Sequence, residues 1–192
     1  SKRYKNVLIT EINSEEDLEK MSIRKPDLVF SGVKYFHFNN RNIWLNDYLE
    51  MHGIHYIASS KAALDNESDK NRAKKIMQKA KIKTADFFIT TPGEYKTLLS
   101  IPITFPLFIK PVTGGDSRGI DANSIVHDFL SFKAKVLDIK IKHNSPSLVE
   151  TYLPGKEYSV GIFEDSANGN LRAMPIEIVV KKNMNGHRIL DF

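Results

Sequence analysis

Length, composition and charge narrow the class of protein. The chain has 192 residues, of which 41% are hydrophobic and 27% are charged, and this balance is typical of a globular protein with one substantial core or two small lobes. It contains no cysteine, which excludes disulfide bonds, thiolate catalysis and cysteine-ligated zinc. The formal charge of +5 is compatible with anionic ligands, but the lysines are dispersed and match no nucleic-acid-binding motif.

The first sixty residues alternate between strand and helix patterns. The sequence predicts strands over 4–10, 26–32 and 54–58, with helices from Ser14 and over 43–52. Ser14 is suited to cap the first helix, and Gly53 suits the position that follows the second. The aromatic and asparagine-rich residues 35–40 predict a loop. We therefore predict a small parallel α/β lobe over residues 1–59.

The rest of the chain predicts an α+β region with antiparallel hairpins. Helical patterns cover 60–80, 94–99 and 124–137. Strand patterns cover 82–90, 106–110, 146–153, 156–163 and 171–181, with turns at Asn168-Gly169 and Asn185-Gly186. We place the boundary between two subdomains near residue 145, which gives ranges of 60–145 and 146–192.

The strand 106–110 ends in Lys110 and runs into a loop with Gly114, Gly115, Ser117 and Gly119. Such a loop can bring backbone N–H groups close to an anion, and the lysine adds a point charge. This combination favours a polyphosphate ligand. The alternative is an ordinary surface turn with a lysine beside it.

Four short motifs follow one another in a recognisable order. They are Asp69-Lys70 on a helix, Ile109-Lys110-Pro111 with its glycine loop, VETYL at 149–153 and PGKEYSV at 154–160. In this order and spacing they resemble the ATP-grasp superfamily, and within it the D-alanine–D-alanine ligase branch. The resemblance covers roughly residues 26–192.

The resemblance implies roles for ten residues in binding ATP. Lys70 and Lys110 would contact the phosphates, and the loop from Gly114 to Gly119 would close over them, with Gly115 and Ser117 in its course. Glu150 would accept a hydrogen bond from the adenine amino group, and Glu157 would accept from the ribose hydroxyls. The purine would lie against Tyr152 and Leu153. No catalytic residue is assigned.

Each of these residues also has an ordinary structural interpretation. Lys70 lies among other basic residues and could belong to a solvated helix face. Lys110 could be a strand-end lysine that reaches solvent, and the glutamates could be charges at a sheet edge. Tyr152 and Leu153 are compatible with a core in either case.

Three departures from the branch limit what the resemblance implies. The family's first strand and glycine-rich turn are not evident near Val7 to Glu11. The branch usually carries His-Gly and Glu-Asp-Gly after its second strand, where this chain has GVKYFHFNN at 32–40, so D-alanine is not implied as the substrate. The sequence ends at Phe192, before the point where the family places the ligands of two Mg²⁺ ions. We therefore expect the metal ligands downstream of Phe192 and none within the chain.

These features predict the front part of an ATP-dependent carboxylate–amine ligase that acts through an acyl phosphate. Its partners would be ATP, Mg²⁺ and a small carboxylate, without nucleic acid. The alternative is an ATP-grasp module that binds nucleotide without ligase activity. Related ligases tend to dimerise through the N-terminal lobe, which implies a homodimer. No apolar run reaches the ~18 residues of a membrane span, and no signal-peptide pattern is present, so we expect a cytoplasmic protein without membrane partners.

Overall fold

A computed structural model describes residues 4–115, 117–164, 168–180 and 186. The chain divides into two compact units, Ser1–Glu67 and Ser68–Phe192. This division lies eight residues beyond the predicted lobe boundary, and the finer subdomain limits remain predictions.

The first unit packs two helices beside short strands. Its elements are α1 Glu15–Ile23, β1 Val29–Phe30, β2 Tyr35–Phe38, β3 Arg41–Trp44, α2 Leu45–Met51, β4 Tyr56–Ile57 and α3 Lys61–Ser68. The β1 and β4 strands are parallel, as the alternating pattern predicts. Leu18 and Met21 of α1 share a buried cluster with Leu45 and Leu49 of α2 and with Ile54. The amphipathic faces of both helices therefore meet in one small core.

Ser14 caps α1 as predicted, but two other predictions for this unit are wrong. Its Oγ accepts from the Asp17 backbone N–H at 3.2 Å. The predicted strand over 4–10 is absent among the described residues, and Ile9 is 91% exposed. A β-branched run becomes a strand only when a neighbour pairs with its backbone, and here β1 pairs with β4.

Residues 35–40, predicted to form a loop, are instead the strand β2 and the turn of an antiparallel hairpin that β2 forms with β3. Asn39 and Asn40 both have positive φ, at 49° and 60°, as a two-residue hairpin turn requires. The hairpin also takes Ile43 and Trp44 from the predicted helix, so α2 begins at Leu45.

The second unit is built on a four-stranded antiparallel sheet covered by one long helix. Its elements are α4 Lys70–Lys79, β5 Phe87–Thr90, β6 Leu107–Pro111, β7 Ile125–Val126, α5 Phe129–His143, β8 Ser147–Thr151, β9 Glu157–Glu164 and β10 Leu171–Ile178. The sheet has the order β5-β8-β6-β7. Leu107, Ile109 and Val149 from its central strands are fully buried and pack with Val136 and Ile139 of α5.

The last two strands form a separate antiparallel hairpin from Glu157 to Ile178, as predicted. Its backbone ladder is regular, but its apolar side chains are exposed, including Ile162 at 67% and Ile176 at 62%. Of the predicted final turn only Gly186 is described. Asn185 and the segment 187–192 lie outside the described residues.

Three helix predictions for this part of the chain are corrected by the structure. The helix over 60–80 is two helices, because Asp69 adopts an extended conformation and caps α4 through the Arg72 N–H at 3.0 Å. The helix over 94–99 is reduced to a 3-10 turn at Leu98–Ser100. The helix expected from residue 124 begins at Phe129, because Asp128 is its N-cap and Ile125–Val126 pair with β6.

Candidate nucleotide-binding site

A polar cleft of about 250 Å³ lies at one end of the four-stranded sheet. Its lining residues are Ala85, Phe108, Lys110, Ser117, Ile120, Glu150, Thr151, Tyr152, Leu153 and Glu157. Six of the ten residues predicted to bind ATP are among them. The cleft therefore unites the strand β6, the glycine loop, the end of β8 and the start of β9.

Two charged residues of the lining, Lys110 and Glu150, form a cluster with Lys74, which lies beside the cleft. Lys110 Nζ donates to Glu150 Oε1 at 2.6 Å, and Lys74 Nζ lies 3.0 Å from Glu150 Oε2. The antiparallel pairing of β6 with β8 places Phe108 opposite Glu150 and Lys110 opposite Leu148, so Lys110 and Glu150 are diagonal neighbours on one face of the sheet. This cluster holds two ammonium groups and one carboxylate, but Glu157 adds a second carboxylate to the lining, so the attraction for an anionic ligand is local to the lysines.

Lys70 lies at the base of the glycine loop rather than in the lining of the cleft. Its Nζ donates to the Gly114 carbonyl at 2.5 Å, and its backbone N–H donates to the Val112 carbonyl at 3.1 Å. The Gly114 N–H donates in turn to the Ser68 carbonyl, and Asp69 forms a β-bridge with Thr113. The first residues of α4 therefore anchor the point where the loop leaves β6.

The loop itself turns back sharply beyond this anchor. Gly114 and Gly119 have φ of 95° and 76°, and Ser117 also adopts a positive φ of 53°. The Arg118 N–H donates to the Gly115 carbonyl at 3.1 Å, and the Ile120 N–H donates to the Ser117 carbonyl at 2.9 Å. Of the described loop residues with predicted phosphate contacts, Ser117 lines the cleft, whereas Gly114, Gly115 and Gly119 shape the turn.

The segment after β8 forms the far wall of the cleft. Two of its backbone N–H groups are already used, since Thr151 donates to the Asp86 carbonyl at 3.0 Å and Tyr152 donates to the Pro106 carbonyl at 3.1 Å. These bonds fix the course of the wall past Leu153. Glu157, the first residue of β9, completes the lining on the hairpin side.

Comparison with known proteins points in the same direction as this geometry. No family model matches the sequence. The chain is 31% identical to the D-alanine–D-alanine ligase of Geotalea uraniireducens over 127 residues. This alignment covers 66% of this chain and 40% of the relative. It is 34% identical to the same enzyme of Pelobacter propionicus over 121 residues. This alignment covers 63% of this chain and 38% of the relative. The chain thus spans about two fifths of the length of these relatives.

Solved structures with nucleotide bound share the fold. The D-alanine–D-alanine ligase of Bacillus anthracis in complex with ATP matches 88% of this chain and 58% of its own, with a TM-score of 0.56 and 21% identity. An N5-carboxyaminoimidazole ribonucleotide synthetase in complex with ADP matches 90% and 42%, with a TM-score of 0.61 and 17% identity. The chain has the ATP-grasp fold. Its sequence resembles the D-alanine–D-alanine ligase branch, as the four motifs predict.

The sequence analysis missed one charged residue beside the candidate cleft. Lys74 follows Lys70 by one helical turn, and it is only 8% exposed, whereas Lys75 beside it is exposed. The (i, i+4) spacing from Lys70 places it on the same face of α4. The spacing from Lys70 was the signal in the sequence that could have identified Lys74. It was missed because several other basic residues lie nearby in the same helix.

A second groove of about 360 Å³ lies on the outer side of α5, between Thr91 and Leu137. Its lining is largely apolar, and Lys133 is its one charged residue, so it lacks the charge that a polyphosphate needs. Residues 4–115, 117–164 and 168–180 contain no group of three or more acidic or histidine side chains that could hold a metal. The prediction of Mg²⁺ therefore depends on the resemblance alone.

In the described part of the chain, no helix combines the length and the apolar composition that crossing a bilayer requires.

Proposed function

We propose that this chain binds ATP in the cleft between β6, β8 and β9, as part of an ATP-dependent carboxylate–amine ligase. The observation that carries the proposal is the convergence of Lys110, Ser117, Glu150, Leu153 and Glu157 on one cleft. These residues come from four separate segments, and each has the chemistry that one part of ATP requires. The likeness to D-alanine–D-alanine ligases supports the same ligand.

The cleft would hold the nucleoside, and the loop side would receive the phosphates. A volume of about 250 Å³ is slightly below the ~300–1,000 Å³ of typical ligand pockets. Adenine would lie against Tyr152 and Leu153, with its amino group near Glu150 and the ribose hydroxyls near Glu157. Lys110, Lys70 and the loop N–H groups would neutralise and orient the phosphates.

In the whole protein, the bound ATP would phosphorylate a substrate carboxylate, and an amine would then attack the acyl phosphate to give an amide and inorganic phosphate. The residues described here would orient the nucleotide and stabilise its charge, which are the main protein contributions to phosphoryl transfer. Mg²⁺, when bound, would neutralise part of the phosphate charge. A homodimer and a cytoplasmic location are further parts of this proposal.

Calorimetry tests nucleotide binding. We expect ATP to bind with a dissociation constant in the micromolar to millimolar range and GTP to bind more weakly. Lys110→Ala and Glu157→Ala should each weaken ATP binding about tenfold or more, because each removes a charged hydrogen-bonding partner. Lys133→Ala, beside the second groove, is the matched control and should bind as the wild type. Binding that is unaffected by both site substitutions would contradict the assignment of the cleft.

Ligase chemistry is tested separately, in the longer protein if the chain is part of one. Hydroxylamine should trap an acyl phosphate as a hydroxamate when ATP, Mg²⁺ and the correct amino acid are present. ATP binding without hydroxamate or phosphate release across a panel of D- and L-amino acids would favour a nucleotide-binding module instead.

A further inference from the structure

Lys74 is the most completely bonded lysine around the candidate site. Its Nζ donates to Thr84 Oγ1 at 2.6 Å and to the Ala85 carbonyl at 3.2 Å, and it lies 3.0 Å from Glu150 Oε2. Two of its three N–H donors therefore have hydrogen-bond acceptors, and the Glu150 carboxylate lies within ion-pair distance. The ring of Phe87 lies 4.8 Å from Nζ and covers it. This side chain is fixed in place.

Lys110 is held much less completely. Its described contacts are the Glu150 carboxylate at 2.6 Å and the ring of Phe108, whose centroid lies 5.2 Å from Nζ. Its side chain is 20% exposed, twice the 10% of Lys74. Of the two cations that share Glu150, Lys110 is therefore the one that can turn towards a ligand in the cleft.

A move of Lys110 to a phosphate would cost free energy if it left the Glu150 carboxylate without another partner. The Glu150 side chain is only 12% exposed, and an unpaired carboxylate at that depth is strongly destabilising. Lys74 removes most of this cost, because it stays on the other carboxylate oxygen when Lys110 leaves. It also keeps Glu150 pointing towards the place where the base would lie.

We propose that Lys74 is a positioning residue that holds Glu150 in place and thereby releases Lys110 to bind the nucleotide phosphates. This inference depends on the proposed function, since it assumes that Lys110 is a phosphate ligand. It predicts an effect on phosphate binding that a purely structural lysine would not have.

The experiment compares three ligands that share parts of one molecule: ATP, adenosine and inorganic tripolyphosphate. The variants are Lys74→Met, Lys74→Arg, Glu150→Gln and the double variant Lys74→Met/Glu150→Gln. Lys75→Met is the control, because Lys75 is exposed on the same helix. Affinities are measured by calorimetry, and the melting temperature without ligand records any general loss of stability.

In Lys74→Met, Lys110 becomes the remaining partner of Glu150 and should stay bound to it. We expect the affinities for ATP and tripolyphosphate to fall roughly tenfold, as loss of a charged hydrogen bond would produce, with the adenosine affinity changed less than about threefold. Lys74→Arg should restore most of the loss, because arginine also carries a charge to Glu150.

Glu150→Gln should have the opposite effect on phosphate binding. Without the carboxylate, Lys110 is no longer held, so tripolyphosphate should bind more tightly than to the wild type, by about threefold. The double variant should recover most of the phosphate affinity that Lys74→Met loses. If the effects of Lys74→Met and Glu150→Gln on tripolyphosphate affinity simply add in the double variant, the proposal is overturned.

Other outcomes also decide the question. An equal loss for adenosine and tripolyphosphate in Lys74→Met would mean that Lys74 is a structural residue. If Lys74→Met does not fold, Glu150→Gln alone still tests the idea, because unchanged or weaker tripolyphosphate binding would contradict it. If the wild type binds neither ATP nor tripolyphosphate, the proposed function fails as well, whereas wild-type binding with unaffected variants refutes the role of Lys74 only.

Discussion

The four-stranded sheet and the β9–β10 hairpin both contribute to the candidate site, but they are stabilised in different ways. The sheet side chains Leu107, Ile109 and Val149 are completely buried under α5. The hairpin has a complete backbone ladder but leaves Ile162 and Ile176 largely exposed. Burial of apolar area is the main stabilising contribution to folding, so the sheet is stable through its core, whereas the hairpin depends on backbone pairing. One wall of the cleft is therefore preformed, and the wall that contains Glu157 is held more weakly.

The largest effect is expected in the sheet core. Leu107→Ala should lower the free energy of unfolding by about 3 kcal/mol, because it removes buried methyl groups and leaves a cavity. Denaturant unfolding measures this change. Ile162→Ala in the hairpin is the matched comparison and should have little effect, since its side chain is 67% exposed. Equal losses at the two positions would contradict the contrast between the regions.

Gly119 tests how tightly the loop is packed against the sheet. A Cβ at this position would lie 2.6 Å from Pro111 Cγ and 2.8 Å from Pro111 Cδ, with a φ of 76°. Gly119→Ala should therefore cost about 2 kcal/mol or more, since a left-handed conformation and a steric clash act together. A melting temperature unchanged from the wild type would show that the loop can separate from Pro111 without cost.

Gly114 offers the matched control within the same loop. Its φ is 95°, but a Cβ there would meet nothing within 4 Å. Gly114→Ala should cost about 1 kcal/mol from the backbone conformation alone. Thermal unfolding of both variants side by side separates the two causes, and a larger loss at Gly114 than at Gly119 would contradict the packing argument.

The smallest effect concerns the cap of the helix that covers the sheet. Hydrogen bonds from the Ser131 backbone N–H and hydroxyl to Asp128 lower the pKa of the Asp128 carboxyl from its usual value. A lowered folded-state pKa stabilises the protein above the unfolded value and loses its effect as the pH falls through the folded one. Asp128→Ala should lower the melting temperature by a few degrees at neutral pH, with a smaller difference from the wild type under acidic conditions. A pH-independent difference would show that the charge is irrelevant.

Local sequence signals predicted the elements that local chemistry determines. The strands around Lys110 and Glu150, the Asn168-Gly169 hairpin and the Ser14 cap all follow from patterns within a few residues. The prediction of a strand over residues 4–10 was wrong because a strand also needs a distant partner, which no local pattern supplies. The local signal for Lys74 was only its spacing from Lys70, because its partners Thr84 and Glu150 are brought to it by the fold. The helix over 60–80 was broken at Asp69, whose competing role as an N-cap the hydrophobic pattern does not report.

The link between α4 and the glycine loop has a consequence for synthesis of the protein. Lys70 contacts Gly114 across 44 positions of sequence, and the residues that line the cleft extend to Glu157. Contacts between distant residues form late, because a long loop must close before they contribute. On the ribosome, α4 emerges well before its partners. The proposed nucleotide would therefore stabilise the nascent chain only after the start of β9 has been released.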